Sequence, residues 1–390
     1  GGIMKKLLTI LLACLMVFAL VGCTTSEEEG GDNSEKSPME QAKEAGKITI
    51  ANVVNGTLGD KSFFDSGEEG MQLINANLGD KMYGETIELS YNKDTWASGM
   101  EEVFKQGWDI IIAGTYDMKE HVIPLLEQYP DQKVWFYDEE WNFDNADGWQ
   151  YAPTDKLYAM MFSQNEGSYL VGYMAAMLTQ TGYISFMGGM DNTVLDDFFV
   201  GFANGAKAYG EKAGKEIHVD CSWMDSFNDP AKGKDVATGL YAAGYDVIFA
   251  CGGQAGLGGF DAVITTAEGN YIIGVDGNQG EYFASIGTDE GNAKAARTIT
   301  SMMKNVNVGF YEAAQMELEG TVPYGTNQAK GLNGGFVSFA ITDTTKALFT
   351  EEQLAEVEAV SQGIINGDIN PGTAFGQEEG WFKTFCETVK

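Results

Sequence analysis

Histidine is nearly missing from this chain, since only His121 and His218 occur among its 390 residues. The two lie in separate predicted lobes, and neither belongs to a recognisable cluster of metal ligands. The G-x-S-x-G, H-E-x-x-H and Walker motifs are also absent from the sequence. We therefore expect no catalytic residue, no metal and no cofactor, and we interpret the chain as a non-enzyme.

Positive charge is scarce as well. The sequence has 24 Lys and Arg against 57 Asp and Glu, which gives a formal net charge of −33. So negative a chain does not bind a phosphate backbone, so we expect no nucleic-acid partner. Attraction to anionic lipid headgroups is excluded on the same ground. A hydrophobic content of 44% is nevertheless ample for folded cores.

The sequence has one long apolar run, from Leu7 to Leu20, and it follows Lys5 and Lys6. It is shorter than the roughly 20 residues that a membrane-spanning helix needs. A charged start, an apolar run and small residues near its end are typical of an export signal. The sequence Leu-Val-Gly-Cys that ends at Cys23 resembles a bacterial lipobox. That resemblance implies cleavage after residue 22, acylation of Cys23 (palmitate among the acyl groups) and anchoring on the extracytoplasmic face of the cell membrane.

Cysteine is also rare, with five in the chain. Cleavage would remove Cys14 and acylation would occupy Cys23, which leaves Cys221, Cys251 and Cys386. Cys221 and Cys251 each fall in a predicted strand, so we interpret them as two buried thiols, and a disulfide between them stays open.

Residues 23–45 are acidic and rich in Ser, Gly and Glu, which predicts a disordered tether. From Lys47 onward, short apolar segments alternate with helical ones, and the same alternation starts again after Gln164. This pattern predicts an α/β protein with two lobes, each a parallel sheet flanked by helices. The predicted strands are Ile48–Val54, Ile87–Tyr91, Ile110–Ala113 and Val134–Tyr137, followed by Tyr183–Met187, Ile217–Trp223, Val247–Ala250, Ile272–Val275 and Val337–Ile341.

The first lobe is predicted to comprise residues 46–163 and about 277–325, and the second lobe residues 164–276 and about 326–390. Crossovers are expected near Ser163 and Gly277, and residues 289–320 are interpreted as one long helix or two. Ligands of open α/β sheets gather beyond the carboxyl ends of the strands, so we expect site residues just after strands.

Several segments in order carry a resemblance to a known family. The densest are Gln164–Tyr173, Phe186–Gly189, Gly201–Gly205, Gly244–Phe249 and Ile273–Asp276. Here the chain resembles the basic membrane protein (BMP, or PnrA-like) family of nucleoside-binding lipoproteins of ABC transporters, from about residue 47 to about residue 320. The resemblance implies a type I periplasmic-binding-protein-like fold with a ligand cleft between two lobes.

The resemblance also implies roles for particular residues. A purine base would lie between the rings of Phe63 and Phe198, one from each lobe. A carboxylate would read the edge of the base, and an acidic residue with a lysine would hold the ribose hydroxyls. The further candidates are Asp60 and Asp117 for the base, Asp276 for the ribose, and backbone donors of Gly253 to Gly256.

Three positions depart from the family's pattern. Phe64 replaces an asparagine, Asn278 replaces an acid, and Thr288 falls where the ribose lysine is expected. The resemblance implies an extracytoplasmic solute-binding protein that delivers a small molecule, a purine nucleoside by preference, to an ABC permease. These departures leave open a sugar-like ligand, a sensor lipoprotein that presents its ligand to a receptor or kinase, and a surface enzyme acting on nucleosides.

Overall fold

The computed structural model describes residues 36–144 and 155–390. The predicted signal peptide, Cys23 and most of the predicted tether lie outside the described residues. The strands are β1 Ile48–Val54, β2 Met82–Glu88, β3 Ile110–Gly114, β4 Lys133–Tyr137, β5 Leu157–Phe162, β6 Tyr183–Gly188, β7 His218–Trp223, β8 Val247–Cys251, β9 Tyr271–Asp276, β10 Thr298–Lys304, β11 Thr326–Lys330 and β12 Val337–Phe339.

The helices are α1 Pro38–Glu44, α2 Phe63–Leu78, α3 Trp96–Gln106, α4 Lys119–Gln128, α5 Gln164–Leu178, α6 Thr193–Ala213, α7 Pro230–Ala242, α8 Gly253–Val263, α9 Gln279–Ser285, α10 Asp289–Arg297, α11 Val306–Glu319, α12 Asp343–Leu348, α13 Glu351–Ile365 and α14 Trp381–Val389. Within residues 36–144 and 155–390, no helix combines the length and the apolar character that crossing a bilayer requires.

The strands form two sheets of six. The first has the order β11-β5-β4-β3-β1-β2 and is parallel throughout. The second has the order β12-β10-β9-β8-β6-β7, in which only β12 runs antiparallel to its neighbour. Central strands such as β3 and β8 are buried along their whole length, as expected for parallel strands covered by helices on both faces. The prediction of an α/β protein with two parallel sheets is confirmed.

The chain crosses between the lobes three times, and this corrects the predicted boundaries. It leaves the first lobe at Ser163, returns after β10 at Asn305 because α11 packs on α2, and leaves again between β11 and β12. The crossover predicted near Gly277 is wrong, since β9, α9 and α10 all belong to the second lobe. Residues 326–330 were predicted to belong to the second lobe. They form the strand β11, which pairs with β5 of the first lobe.

The interpretation of residues 289–320 as one helix or two is wrong in its middle. Residues 298–304 form the strand β10, which pairs with β9 and β12. Six of its seven residues are buried, including Thr298, Thr300 and Ser301. Small polar side chains at buried positions hide the strand from a search for apolar alternation, while the hydrogen bonds of the sheet satisfy its backbone.

The predicted disordered tether of residues 23–45 is wrong at its end. Residues 38–44 form the helix α1, which packs on β1 and β2. Met39 and Ala42 are buried because residues three positions apart lie on one face of a helix. Lys43 also donates a hydrogen bond to the carbonyl of Gly107.

The helix α6 is held against α5 by glycines. A Cβ at Gly172 would collide with the carbonyl of Phe202, and one at Gly201 or Gly205 would collide with backbone of α5. The two helices therefore approach backbone to backbone, as small residues permit. This contact fixes the position of α6, which carries Phe198 to the cleft.

Candidate ligand-binding cleft

A cavity of about 290 Å³ lies between the two lobes. Residues of both lobes line it, mostly from segments that follow strands, as expected for open α/β sheets. The lining residues include Asn55, Asp60, Phe63, Phe64, Tyr91, Lys93, Trp96, Thr115, Asp117, Asp138, Asn192, Phe198, Asp225, Ser226, Phe227, Asn228, Cys251, Gly253, Asp276 and Lys304. Six of the seven predicted ligand-binding residues are among them, and Gly256 is not.

Two aromatic rings come to the cavity from opposite lobes. Phe63 begins α2 of the first lobe and stacks on Tyr137 at a centroid distance of 5.2 Å. Phe198 lies on α6 of the second lobe and packs on Phe249 of β8 at 6.3 Å. Tyr137 and Phe249 therefore hold the orientations of these two rings. Rings held in this way can stack on a flat ligand without first being reoriented.

Lys304 is a buried cation of the cleft that was not predicted from the sequence. Its ammonium nitrogen lies 5.3 Å from the ring centroid of Phe63 and 5.1 Å from that of Phe198. The side chain is 1% exposed and forms an ion pair with Asp138 of the first lobe. Lys304 is the last residue of β10, so the general rule that site residues end strands would have found it had the strand been recognised.

The Thr288 position, where a ribose lysine was expected, does not take part in the cleft. Thr288 caps α10 by accepting a hydrogen bond of 3.1 Å from the amide of Gly291. Asn278 likewise caps α9. Phe64 does line the cavity and packs near Tyr91. Lys304, and not a residue at position 288, thus brings a buried ammonium group to the cleft.

Asp276 ends β9 and is buried in the cleft. Its carboxylate accepts a hydrogen bond of 2.5 Å from the hydroxyl of Ser62 in the opposite lobe. Burial raises the pKa of Asp276 to about 7, although the nearby Lys304 and the Ser62 hydrogen bond act in the other direction. The residue is thus an acceptor whose charge depends on pH near neutrality.

Asp60 serves the helix α2 as well as the cleft. Its carboxylate accepts hydrogen bonds from the amides of Ser62, Phe64 and Asp65 at 2.9 to 3.1 Å. These amides lie at the start of α2, where the backbone N–H groups have no acceptor within the helix. Burial still raises the pKa of Asp60 to about 6. Asp60 therefore positions Phe63 by fixing the first turn.

The other predicted carboxylate, Asp117, forms an ion pair with Lys93 at 2.9 Å, and both line the cavity. A further carboxylate of the first lobe, Asp138, follows β4 and faces Lys304. Asp138 was not predicted from the sequence. Its place directly after a strand was the available signal.

The predicted backbone donors of Gly253 to Gly256 are partly used within the fold. The amide of Ala255 donates to the carbonyl of Phe227, and that of Gly256 to the carbonyl of Gly252. The prediction for Gly256 is therefore wrong, because α8 closes its first turn there. Gly253 does line the cavity.

Backbone strain gathers around the cleft. Among described residues other than glycine, six have a positive φ, and four of these line the cavity, namely Thr115, Asp138, Asp225 and Asp276. Such conformations are unfavourable for residues with a side chain, most of all for a β-branched threonine. The segment from Asp225 to Asn228 lines the cavity along its whole length and is thus part of the site.

Comparison with known proteins agrees with this fold. The sequence model of the Bmp family, described as ABC transporter substrate-binding protein PnrA-like, matches residues 47–372. The chain is 27% identical to the CD4+ T-cell-stimulating antigen of Listeria innocua, with 93% of this chain and 96% of the relative covered. It is 26% identical to the ABC transporter nucleoside-binding protein BmpA of Lactococcus lactis, with 86% and 91% covered.

Solved structures show the same architecture. An ABC transporter solute-binding protein of Aeropyrum pernix K1 superimposes with a TM-score of 0.72 at 22% identity, covering 88% of this chain and 97% of the other. One from Conexibacter woesei superimposes with a TM-score of 0.62 at 15% identity, covering 84% and 99%. The fold is therefore the two-lobed, type I periplasmic-binding-protein-like fold that the sequence predicts.

Proposed function

The chain belongs to the Bmp family of PnrA-like ABC transporter substrate-binding proteins, and from this we propose that it binds a purine nucleoside and delivers it to an ABC importer. The observation that carries the proposal is the meeting of four side chains in one cavity, those of Phe63, Phe198, Asp276 and Lys304. A nucleoside has the matching parts, which are a flat base and a ribose with neighbouring hydroxyls. The Lactococcus relative named as nucleoside-binding supports the same ligand class.

Each part of the nucleoside would have its own contacts. The base would stack between Phe63 and Phe198, which is worth about 1–3 kcal/mol per ring. The ribose hydroxyls would donate to Asp276 and accept from Lys304, in hydrogen bonds strengthened by charge. Asp138 and Asp117 are the acceptors left for the edge of the base. Binding proceeds without chemistry, so no residue has a catalytic role.

Closure of the lobes would accompany binding. The contacts that join the lobes across the cleft include Ser62 to Asp276, the side chain of Gln279 to the carbonyl of Lys61 at 3.2 Å, and Lys304 to Asp138. In proteins of this architecture, lobes open and close about the crossover segments. Residues 163, 305 and 331–336 are those segments here.

We further propose that Cys23 is acylated and holds the protein on the extracytoplasmic face of the cell membrane. Incorporation of labelled palmitate into the full chain expressed in bacteria would test this. Label is expected in the natural chain and not in Cys23→Ala. Equal labelling of both would contradict the proposal.

The ligand is tested by a thermal-shift panel on the purified protein with purine and pyrimidine nucleosides, free bases, ribose, other sugars and amino acids. A ligand at 100 times its Kd adds about 2.7 kcal/mol to the free energy of unfolding. We expect the largest shift with a purine nucleoside. No shift with any nucleoside, together with a shift with a sugar, would overturn the ligand. Conversion of an added nucleoside to a product would overturn the binding-only role.

The importer role is tested in cells that express the chain with its permease. Uptake of the labelled nucleoside is expected to fall in Asp276→Ala, because capture precedes delivery. Unchanged uptake, with loss of a signalling response instead, would favour a sensor.

A further inference from the structure

The C-terminal helix α14 lies across β7 with matching side chains. Phe382 packs near Trp223 at a centroid distance of 6.4 Å, and Lys390 approaches Asp220 at 3.9 Å. Between these two contacts, Cys386 lies close enough to Cys221 for each thiol to change the pKa of the other. The helix therefore runs antiparallel to the strand. Residues near its two ends contact Trp223 and Asp220, which both belong to β7.

The spacing explains why the two thiols meet. Residues 221 and 223 are two apart on a strand and so lie on one face, about 6.6 Å from each other along it. Residues 382 and 386 are four apart on a helix and also lie on one face, about 6 Å apart along the axis. Placing Phe382 on Trp223 thus places Cys386 on Cys221.

We propose that Cys221 and Cys386 form a disulfide in the exported protein. Both are free thiols in this structure and pack at the edge of the hydrophobic core. Disulfides form and persist outside the cytoplasm, so the proposal depends on the export proposed above and not on the ligand. The pairing left open from the sequence, Cys221 with Cys251, is not the one that the contacts favour, since Cys251 lines the ligand cavity.

The two thiols differ in a way that orders the reaction. The contact with Cys221 holds the pKa of Cys386 below its ordinary value, while the same contact, followed by burial, raises the pKa of Cys221. Cys386 is thus the thiol that first attacks an external disulfide, because the thiolate is the nucleophile. This step joins Cys386 to one half of that disulfide and releases the other half as a thiol.

Cys221 then loses its proton and attacks the sulfur of Cys386. The second half of the external disulfide leaves and takes up a proton, so two protein thiols are oxidised and one small disulfide is reduced to two thiols. In the cell the oxidant is a disulfide-donating oxidoreductase, and oxidised glutathione serves in its place in the test.

The cross-link would brace the wall of the cleft. Phe382 and Phe385 of α14 pack on Phe199 of α6, at 5.7 and 6.0 Å. Phe199 directly follows Phe198, whose ring lines the cavity. Fixing α14 to β7 therefore also limits movement of the helix that presents this ring.

The test is peptide mapping of the full chain after export from a bacterial host, with free thiols alkylated before tryptic digestion. The two cysteines lie in separate tryptic peptides, residues 216–232 and 384–390, and Cys251 lies in a third, residues 235–294. We expect the first two peptides linked and Cys251 alkylated. The same link should form in the reduced protein treated with oxidised glutathione.

Free alkylation of both Cys221 and Cys386 in the exported protein would overturn the proposal. A link from Cys221 to Cys251, or from Cys386 to a second copy of the chain, would overturn it too. A thermal measurement gives an independent readout, since closing a long loop is expected to raise the Tm by about 5 °C. Reductant should lower the Tm of the natural chain and of Cys251→Ala, and leave that of Cys386→Ser unchanged. A nucleoside panel that fails would leave this result intact.

Discussion

Lys304 and Asp138 form a buried ion pair that joins the two lobes across the cleft. Lys304 ends β10 of the second sheet and Asp138 follows β4 of the first. Neither side chain has much contact with solvent, so each depends on the other for the compensation of its charge. The pair therefore has two roles, since it holds the lobes together and both of its residues line the cavity.

Replacing Lys304 with Met should weaken both binding and folding. The free energy of unfolding should fall by about 3–5 kcal/mol, because Asp138 is left as an unpaired buried charge. Ligand affinity, measured by calorimetry, should fall at least about tenfold, the effect of about 1.4 kcal/mol.

Two further variants separate these effects. Asp138→Asn combined with Lys304→Met removes the stranded charge, so stability should recover while binding stays weak. Lys294→Met is the matched control, since Lys294 pairs with Asp261 and Glu290 and does not line the cavity. A nucleoside Kd unchanged in Lys304→Met would exclude Lys304 from the site.

Aromatic stacking is tested by leucine substitutions, which keep the apolar bulk and remove the ring. Phe63→Leu and Phe198→Leu should each weaken nucleoside binding by about 1–3 kcal/mol, and weaken binding of ribose alone little. Phe202→Leu is the control, since Phe202 is buried on the same helix α6 against Phe249 and does not line the cavity. It should lower the Tm and leave the Kd unchanged. If all three variants bound the nucleoside alike, the rings would not hold the base.

Nucleoside affinity should depend on pH through Asp276. Its pKa is raised to about 7 in the free protein, and only the ionised carboxylate can accept from both ribose hydroxyls. Affinity should therefore fall as the pH drops from 8 to 6. Asp276→Asn should bind more weakly and with a flatter pH profile, measured by calorimetry in matched buffers. A natural protein with no pH dependence over this range would contradict the role of Asp276.

Stability of the ligand-free protein should change in the opposite sense. Burial raises the pKa of Asp60 to about 6 and those of Asp196 and Asp276 to about 7. The folded state therefore binds more protons than the unfolded state between about pH 4 and 7, so stability falls as pH rises through this window. Urea unfolding at pH 5 and pH 7.5 should give the higher free energy at pH 5, and a smaller difference in Asp276→Asn. A free energy that rises toward pH 7.5 would contradict these shifts.

The sequence predicted the elements whose patterns are local. Strand β1 has the predicted bounds, Ile48–Val54, and strand β4 ends at the predicted Tyr137, because a short apolar run marks each of them. Phe63, Phe198 and Asp276 were placed in the cleft by position after strands and by the family resemblance. Their side chains do line the cavity.

What the sequence did not predict depends on distant partners. The strand β10 pairs with β9 and β12, and several of its buried residues are threonine or serine. Its own sequence therefore lacks the apolar pattern that predicts a strand. Missing β10 meant missing Lys304 and placing the crossover wrongly. The capping role of Asp60 was missed for a related reason, since it is set by three amides of the following turn and not by residue type.

The strand β11 has a consequence for how the molecule is made. It forms an edge strand of the first sheet. In the order of translation, however, it follows β6 to β10 of the second sheet. The lobe that starts first on the ribosome must therefore wait for residue 330 before its sheet is finished. No single cut of the chain releases either lobe whole, so neither lobe can be studied as one continuous fragment.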